Sequence, residues 1–345
     1  MATGLNTDDE DATDRIAAPE HGGALAVISR AYPDAPRPWI DLSTGINPHP
    51  WPFPDPLPQI PDDALTRLPE PEAIAALERQ AAQTYGASDP ATVVAAPGTQ
   101  ILISLLPRIH PASTVAIVGP TYSEHTISWR TTGASVTTVE QLEACAGADV
   151  VVVVNPNNPD GRTVDPEQLL ALAKTGPLVV VDEAFADLED PALSCIPALP
   201  PSGMAVLRSF GKTYGLGGIR LGFTITGLTL ADKIRAALGP WAVAGPALAV
   251  GPAALADTAW RKAAIRRLDE AVPRLDAAIR ALGLDVVGGT RLFRLGTGAD
   301  APAVFDRLAQ AGIVVRRFRD DSTLLRFGQP GGDDAWRRLE QAVRR

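Results

Sequence analysis

Between residues 92 and 207 the chain repeats one pattern: a short apolar run without polar alternation, then a stretch with helical spacing. The runs are Thr92-Val-Val-Ala-Ala96, Thr114-Val-Ala-Ile-Val118, Asp149-Val-Val-Val-Val-Val154, Leu178-Val-Val-Val181 and Met204-Ala-Val-Leu207. A strand with one wet face alternates apolar and polar residues, whereas a strand covered on both faces does not. The pattern therefore predicts an α/β fold with a mostly parallel sheet between helices, one of which opens near Thr99. Past about Ala231 the pattern changes. Residues Asp257 to Leu282 have the spacing of a long amphipathic helix. Short strands follow around Arg291–Leu295, Ile313–Arg317 and Thr323–Phe327, with a helix between them and a terminal helix from Asp333. These predict a second, smaller α/β domain. The implied organisation is a disordered segment over 1–18, an N-terminal arm over 19–50, a large domain over 51–235 and a small domain over 236–345. Prolines cluster between Pro48 and Pro61. Proline lacks the N–H that a helix interior or central strand needs, so this stretch reads as an extended crossing segment.

Composition narrows the function. The net charge of −9 argues against a nucleic-acid surface. No apolar run reaches the roughly 18 residues of a membrane span. The first 14 residues are acidic and polar, unlike a signal or transit peptide. Cys145 and Cys195 are too few for a disulfide framework and suit a reducing cytoplasm. His21, His49, His110 and His125 lack metal-ligand spacing, so no metal site is expected.

The densest chemistry lies in Ser209-Phe-Gly-Lys212-Thr-Tyr-Gly-Leu-Gly-Gly-Ile-Arg220. Lys212 alone would read as a solvated surface lysine. The run Gly211-Lys212-Thr213 invites a P-loop reading, but that motif needs glycine at position 206, which is valine. The dinucleotide fingerprint fails as well, because Arg220 stands where its third glycine belongs. Lysine with a hydroxyl three residues before it and a guanidinium eight after it suits pyridoxal phosphate. The amine can form a Schiff base, and Ser209 and Arg220 can bind the phosphate. Asp182 follows three valines, so its carboxylate should emerge at a strand's carboxyl end, where it can pair with a pyridinium nitrogen or simply cap a helix. The turn Asn155-Pro-Asn-Asn158-Pro-Asp-Gly161 can be a plain proline-glycine turn or can place Asn158 in a pocket.

In this order the motifs resemble the aspartate-aminotransferase-like, fold type I superfamily of pyridoxal-phosphate enzymes, over nearly the whole chain after residue 20. The resemblance implies a mostly parallel seven-stranded sheet, a homodimer and pyridoxal 5′-phosphate as cofactor. It implies Lys212 as the Schiff-base lysine, Asp182 as the pyridinium partner and Asn158 as the contact to the cofactor's 3′-oxygen. Ser209 and Arg220 match the phosphate pair, and Pro97-Gly98-Thr99-Gln100 matches a phosphate loop opening a helix. Tyr122 matches the ring-stacking aromatic, and Arg326 the arginine that binds the substrate α-carboxylate. Within the superfamily the chain is similar to the histidinol-phosphate aminotransferase branch, and there to the threonine-phosphate decarboxylases of cobalamin synthesis. His21-Gly22-Gly23, the Ile46-Asn47-Pro48 turn, Phe185 where the aminotransferases have tyrosine, and Arg316 upstream of Arg326 carry that finer likeness. It implies His21, Asn47, Asn158, Arg316 and Arg326 as the residues binding a small phosphorylated amino acid. Arg316 and Arg317 would face opposite sides of a strand, and motif position favours Arg316. Leu68 stands where the branch often has a tyrosine that reaches the other subunit's cofactor phosphate, which removes one expected donor. Transamination with Lys212 as proton shuttle remains the alternative. A regulator of the same fold would need a DNA-binding domain that the polar residues before the fold do not supply.

Overall fold

The computed structural model describes residues 21–52, 60–200 and 202–344. The disordered segment expected over 1–18 lies outside the described residues, as does most of the proline crossing. Twelve strands are present among the described residues: β1 Ile40–Leu42, β2 Val93–Ala96, β3 Thr114–Val118, β4 Ser135–Val139, β5 Val150–Val154, β6 Leu178–Asp182, β7 Met204–Ser209, β8 Gly222–Thr226, β9 Asp285–Gly289, β10 Phe293–Thr297, β11 Ile313–Arg317 and β12 Leu324–Gly328.

Seven strands form the large sheet in the order β2-β8-β7-β6-β5-β3-β4. All pair in parallel except β8, which runs antiparallel to both β2 and β7. Strands β5 and β6 are buried along their whole length, which explains their unbroken valines: residues on each face pack under helices. The sequence pattern shows five of these strands. β4 is an edge strand whose residues are exposed or half-buried, and β8 mixes threonine with apolar residues, so neither forms an apolar run.

The second sheet has the order β1-β11-β12-β10-β9. Its first strand comes from the N-terminal arm: Ile40, Asp41 and Leu42 pair in parallel with Ile313, Val314 and Val315. Helix Gly245–Ala256 carries the large core past residue 235, with Ala247, Val250, Ala254 and Leu255 buried beside Leu77 and Leu221. Helix Thr258–Ala281 follows and buries Leu275 and Ile279 in the small core, with Ile313 and Phe327. No helix among the described residues is long and apolar enough to cross a membrane.

Candidate active site

The carboxyl ends of β6 and β7 lie side by side, with Asp182 paired to Leu207 in register. β7 ends at Ser209, and a single helical turn, Phe210–Thr213, lifts Lys212 beside Asp182. A cavity of about 570 Å³ opens there. Asp182, Lys212, Ser209, Arg220, Gly98, Thr99, Gln100, Tyr122, Asn158, His21, Arg316 and Arg326 all line it. The structure thus brings together every residue expected in the site except Asn47.

Lys212 Nζ sits 3.5 Å from the carbonyl oxygen of Thr44 and 4.9 Å from the centre of the Phe185 ring. Burial pushes its amine down to about 8; the nearby Arg326 and Arg220 act in the same direction, and Asp182 opposes them. At neutral pH roughly one amine in ten is then neutral, compared with about one in three thousand for a free lysine. The neutral form is the nucleophile.

At the opposite wall helix Thr99–Ile109 begins after Gly98, with no side chain capping its first turn. Those amides and the helix dipole favour an anion. Gly98 has φ +85°, and a Cβ there would lie 2.7 Å from Arg220 Nη2. Arg220 itself holds a left-handed backbone, φ 56°, rare for a residue with a side chain. The strained turn and the missing Cβ together bring the guanidinium over the helix end, with Ser209 alongside.

Asp182 is buried. Its Oδ1 accepts the Ala184 N–H at 3.0 Å, and its Oδ2 lies 3.0 Å from Nε2 of the buried His125. The sequence reading missed His125. The available signal was its spacing, three residues past Tyr122 and so on the same face of helix Ser123–Arg130. The Asn155–Gly161 turn is braced from both sides. Asn155 exchanges two hydrogen bonds with the Val164 backbone, and Asn157 donates to the Pro120 carbonyl at 3.0 Å. Asn158 is left at the cavity, where its Oδ1 accepts from Arg326.

Arg326 is buried under Phe293 and donates to the Ser43 carbonyl at 2.8 Å, while its Nε has no partner among the described residues. Burial and the facing Arg316 push its guanidinium down to about 9. It remains charged at neutral pH, so the field is a standing demand for an anion. Arg316 lies opposite Arg326 in the β11–β12 register and lines the cavity, whereas Arg317 packs over the Phe305 ring. Asn47 is placed elsewhere. Its amide donates to the Thr213 carbonyl, its side-chain oxygen accepts the His49 N–H, and its own N–H donates to the Lys212 carbonyl. The Ile46–Pro48 turn folds under the lysine turn, so Asn47 fastens the arm to that turn and is not among the residues lining the cavity. A buried ion cluster backs the same turn: Arg208 bridges Glu183 and Asp187, and Thr213 donates to Asp187 at 3.0 Å.

Pyridoxal phosphate fits this donor set. It needs an amine with a depressed pKa, a carboxylate at the far end of a planar ring, an aromatic beside the ring and a multi-donor anion cradle. The cavity supplies them as Lys212, Asp182, Tyr122 and the Gly98–Arg220 corner, and the close approach of Arg220 is the space a Cβ at Gly98 would fill. Pyridoxal phosphate is the cofactor of this enzyme.

Comparisons with known proteins agree. The family model for class I and II aminotransferases matches residues 37–343. A threonine-phosphate decarboxylase from Pseudomonas aeruginosa is 40% identical over 331 residues, covering 94% of this chain and 97% of that protein. A second, from a Sinorhizobium species, is 41% identical over 333 residues with the same coverage. Among solved structures, a histidinol-phosphate aminotransferase from Sinorhizobium meliloti in complex with pyridoxal-5′-phosphate superposes with TM-score 0.81 at 24% identity, covering 99% of this chain and 98% of that one. The chain belongs to the class I and II aminotransferase family and stands within it beside the two threonine-phosphate decarboxylases.

Proposed function

We propose that the protein decarboxylates L-threonine O-3-phosphate to (R)-1-amino-2-propanol O-2-phosphate, a building block for cobalamin. The observation that carries this reading is the identity of 40 to 41% with two threonine-phosphate decarboxylases over 94% of the chain. The cavity supports it: two anionic groups on a small substrate meet Arg326, Arg316 and His21 around one mouth.

Pyridoxal phosphate, when bound, supplies an electron sink for the pair released when the bond from Cα to the carboxylate breaks. Asp182, kept in place by His125 and the Ala184 amide, presents the carboxylate that keeps that sink positively charged. Arg326, which lines the cavity, takes the substrate carboxylate. His21 and Arg316 hold the phosphate. Fixing both ends fixes rotation about Cα, so remote binding energy selects which bond lies in the reactive orientation. Carbon dioxide leaves, and one proton must arrive at Cα in its place. Lys212 Nζ, in the floor of the cavity with a pKa near 8, carries that proton.

Phe185 favours this reading over transamination. Its ring packs edge-on against Phe293 at 4.9 Å and brings no hydroxyl to the cofactor. We place the enzyme in the cytoplasm as a homodimer, which the free buried Cys145 and Cys195 and the exposed Leu65, Leu68 and Trp241 support. The test is selectivity. O-phospho-L-threonine should release carbon dioxide with kcat/KM at least roughly 100-fold above L-threonine. The unphosphorylated amino acid forgoes the hydrogen bonds to His21 and Arg316, each worth at least about a factor of ten. Equal turnover of the two would refute the assigned substrate.

A further inference from the structure

Glu124 lies in the first turn of helix Ser123–Arg130, behind Tyr122, and does not itself line the cavity. Two cavity residues nevertheless converge on its carboxylate, and a third joins through one of them. Oε1 lies 2.9 Å from His21 Nε2, and Oε2 accepts from Gln100 Nε2 at 2.7 Å. Gln100 Oε1 in turn accepts the Tyr122 hydroxyl at 3.0 Å. A continuous chain of contacts thus runs from the N-terminal arm to the ring-stacking aromatic.

A carboxylate this close to a site for a dianion is unfavourable by itself, because like charges repel. The arm explains its presence. His21 is half-exposed and followed by two glycines, which hold a side chain poorly. Behind it the arm is pinned by the Gly23 N–H on Ser43 Oγ at 2.8 Å, and Ser43 in turn receives Arg326 at its carbonyl. The imidazole itself needs a second anchor, and Glu124 supplies one at 2.9 Å. The Gln100 amide fixes the other carboxylate oxygen, so Glu124 cannot swing into the cavity.

We propose that Glu124 is the positioning residue that aims His21 at the substrate phosphate and couples that aim to the seating of Tyr122. This rests on the reading of His21 as a phosphate ligand. The consequence is a specific division of effects. Removing the Glu124 carboxylate lowers kcat/KM for the phosphorylated substrate roughly 10-fold and leaves the slow turnover of L-threonine, which has no phosphate to aim at, within a few-fold.

The probe is isopropyl phosphate, a phosphomonoester with neither amine nor carboxylate, titrated calorimetrically into the holoenzyme. His21→Ala and Glu124→Gln should each weaken it roughly 10-fold, the order expected for one charge-assisted contact. The double variant should be no weaker than either single one within about 2-fold, because both remove the same interaction. Glu124→Asp, which keeps the charge on a shorter stem, should be weakened less. An unchanged visible spectrum and melting temperature show that the variants are folded and loaded. If His21→Ala weakens binding while Glu124→Gln does not, or if the two effects multiply in the double variant, the positioning role is wrong. If His21→Ala itself binds as wild type, the reading of His21 fails and takes this proposal with it.

Discussion

Replacing Lys212 with methionine should make the cofactor-free protein more stable at neutral pH, although it removes the proposed Schiff-base lysine. The amine is lowered from 10.5 to about 8 on folding, chiefly by burial and then by Arg326. Below pH 8 both the folded and unfolded chains carry the charge, and the full cost of holding it in the pocket is present. Between about 8 and 10.5 the unfolded chain binds more protons, so wild-type stability climbs with pH, and above 10.5 the cost is gone. The interval, 10.5 minus 8, at roughly 1.4 kcal/mol per pH unit, sets an upper bound of about 3 kcal/mol. Solvent in the open cavity screens part of that, leaving about 1–3 kcal/mol. Methionine matches the length of the lysine stem and can pack on Phe185, 4.9 Å from the present amine. Urea denaturation of both apo-proteins at pH 7 and pH 10 measures the gap. It should favour Lys212→Met at pH 7 and shrink to less than half at pH 10. A variant no more stable than wild type, or a gap independent of pH, would refute the assignment of Lys212 to a desolvated, cation-rich floor.

Other outcomes follow from the same geometry. Gly98→Ala places a methyl 2.7 Å from Arg220 Nη2 at a backbone φ of +85°, so affinity for pyridoxal phosphate, followed by fluorescence quenching, should fall about 10- to 100-fold. His125→Leu leaves the Asp182 carboxylate buried without its partner; thermal melting should show a destabilisation of about 2–3 kcal/mol and kcat a drop of at least about 10-fold. Arg326→Lys keeps a charge but cannot reach both Asn158 and the Ser43 carbonyl; KM for the substrate should rise roughly 100-fold in steady-state assays, while the spectrum of the loaded enzyme is unchanged. An unaltered KM would remove Arg326 from the carboxylate site.

Much of this site was legible because its parts are local. Lys212, Ser209 and Arg220 lie within twelve residues, and the valines before Asp182 mark both a buried strand and its end. What escaped depends on residues distant in sequence meeting in space. His125 reaches Asp182 across 57 positions, Arg326 reaches Ser43 across 283, and neither contact leaves a pattern along the chain. Asn47 shows the converse. Its Ile-Asn-Pro turn was recognisable, yet the turn folds beneath the lysine helix, and both ends of its amide are consumed by backbone. In the fold, buried β5 and β6 announced themselves as apolar runs, whereas the arm strand β1 has three residues and gains its place only by pairing with β11.

The most direct test supplies carboxyl-labelled O-phospho-L-threonine to the loaded enzyme in heavy water, with 2-oxoglutarate present. The expected result is one labelled carbon dioxide per amino-propanol phosphate, with a single deuteron at the former Cα and no glutamate. Glutamate formed in step with substrate consumption, with the label retained in a keto acid, would contradict it and make the enzyme an aminotransferase.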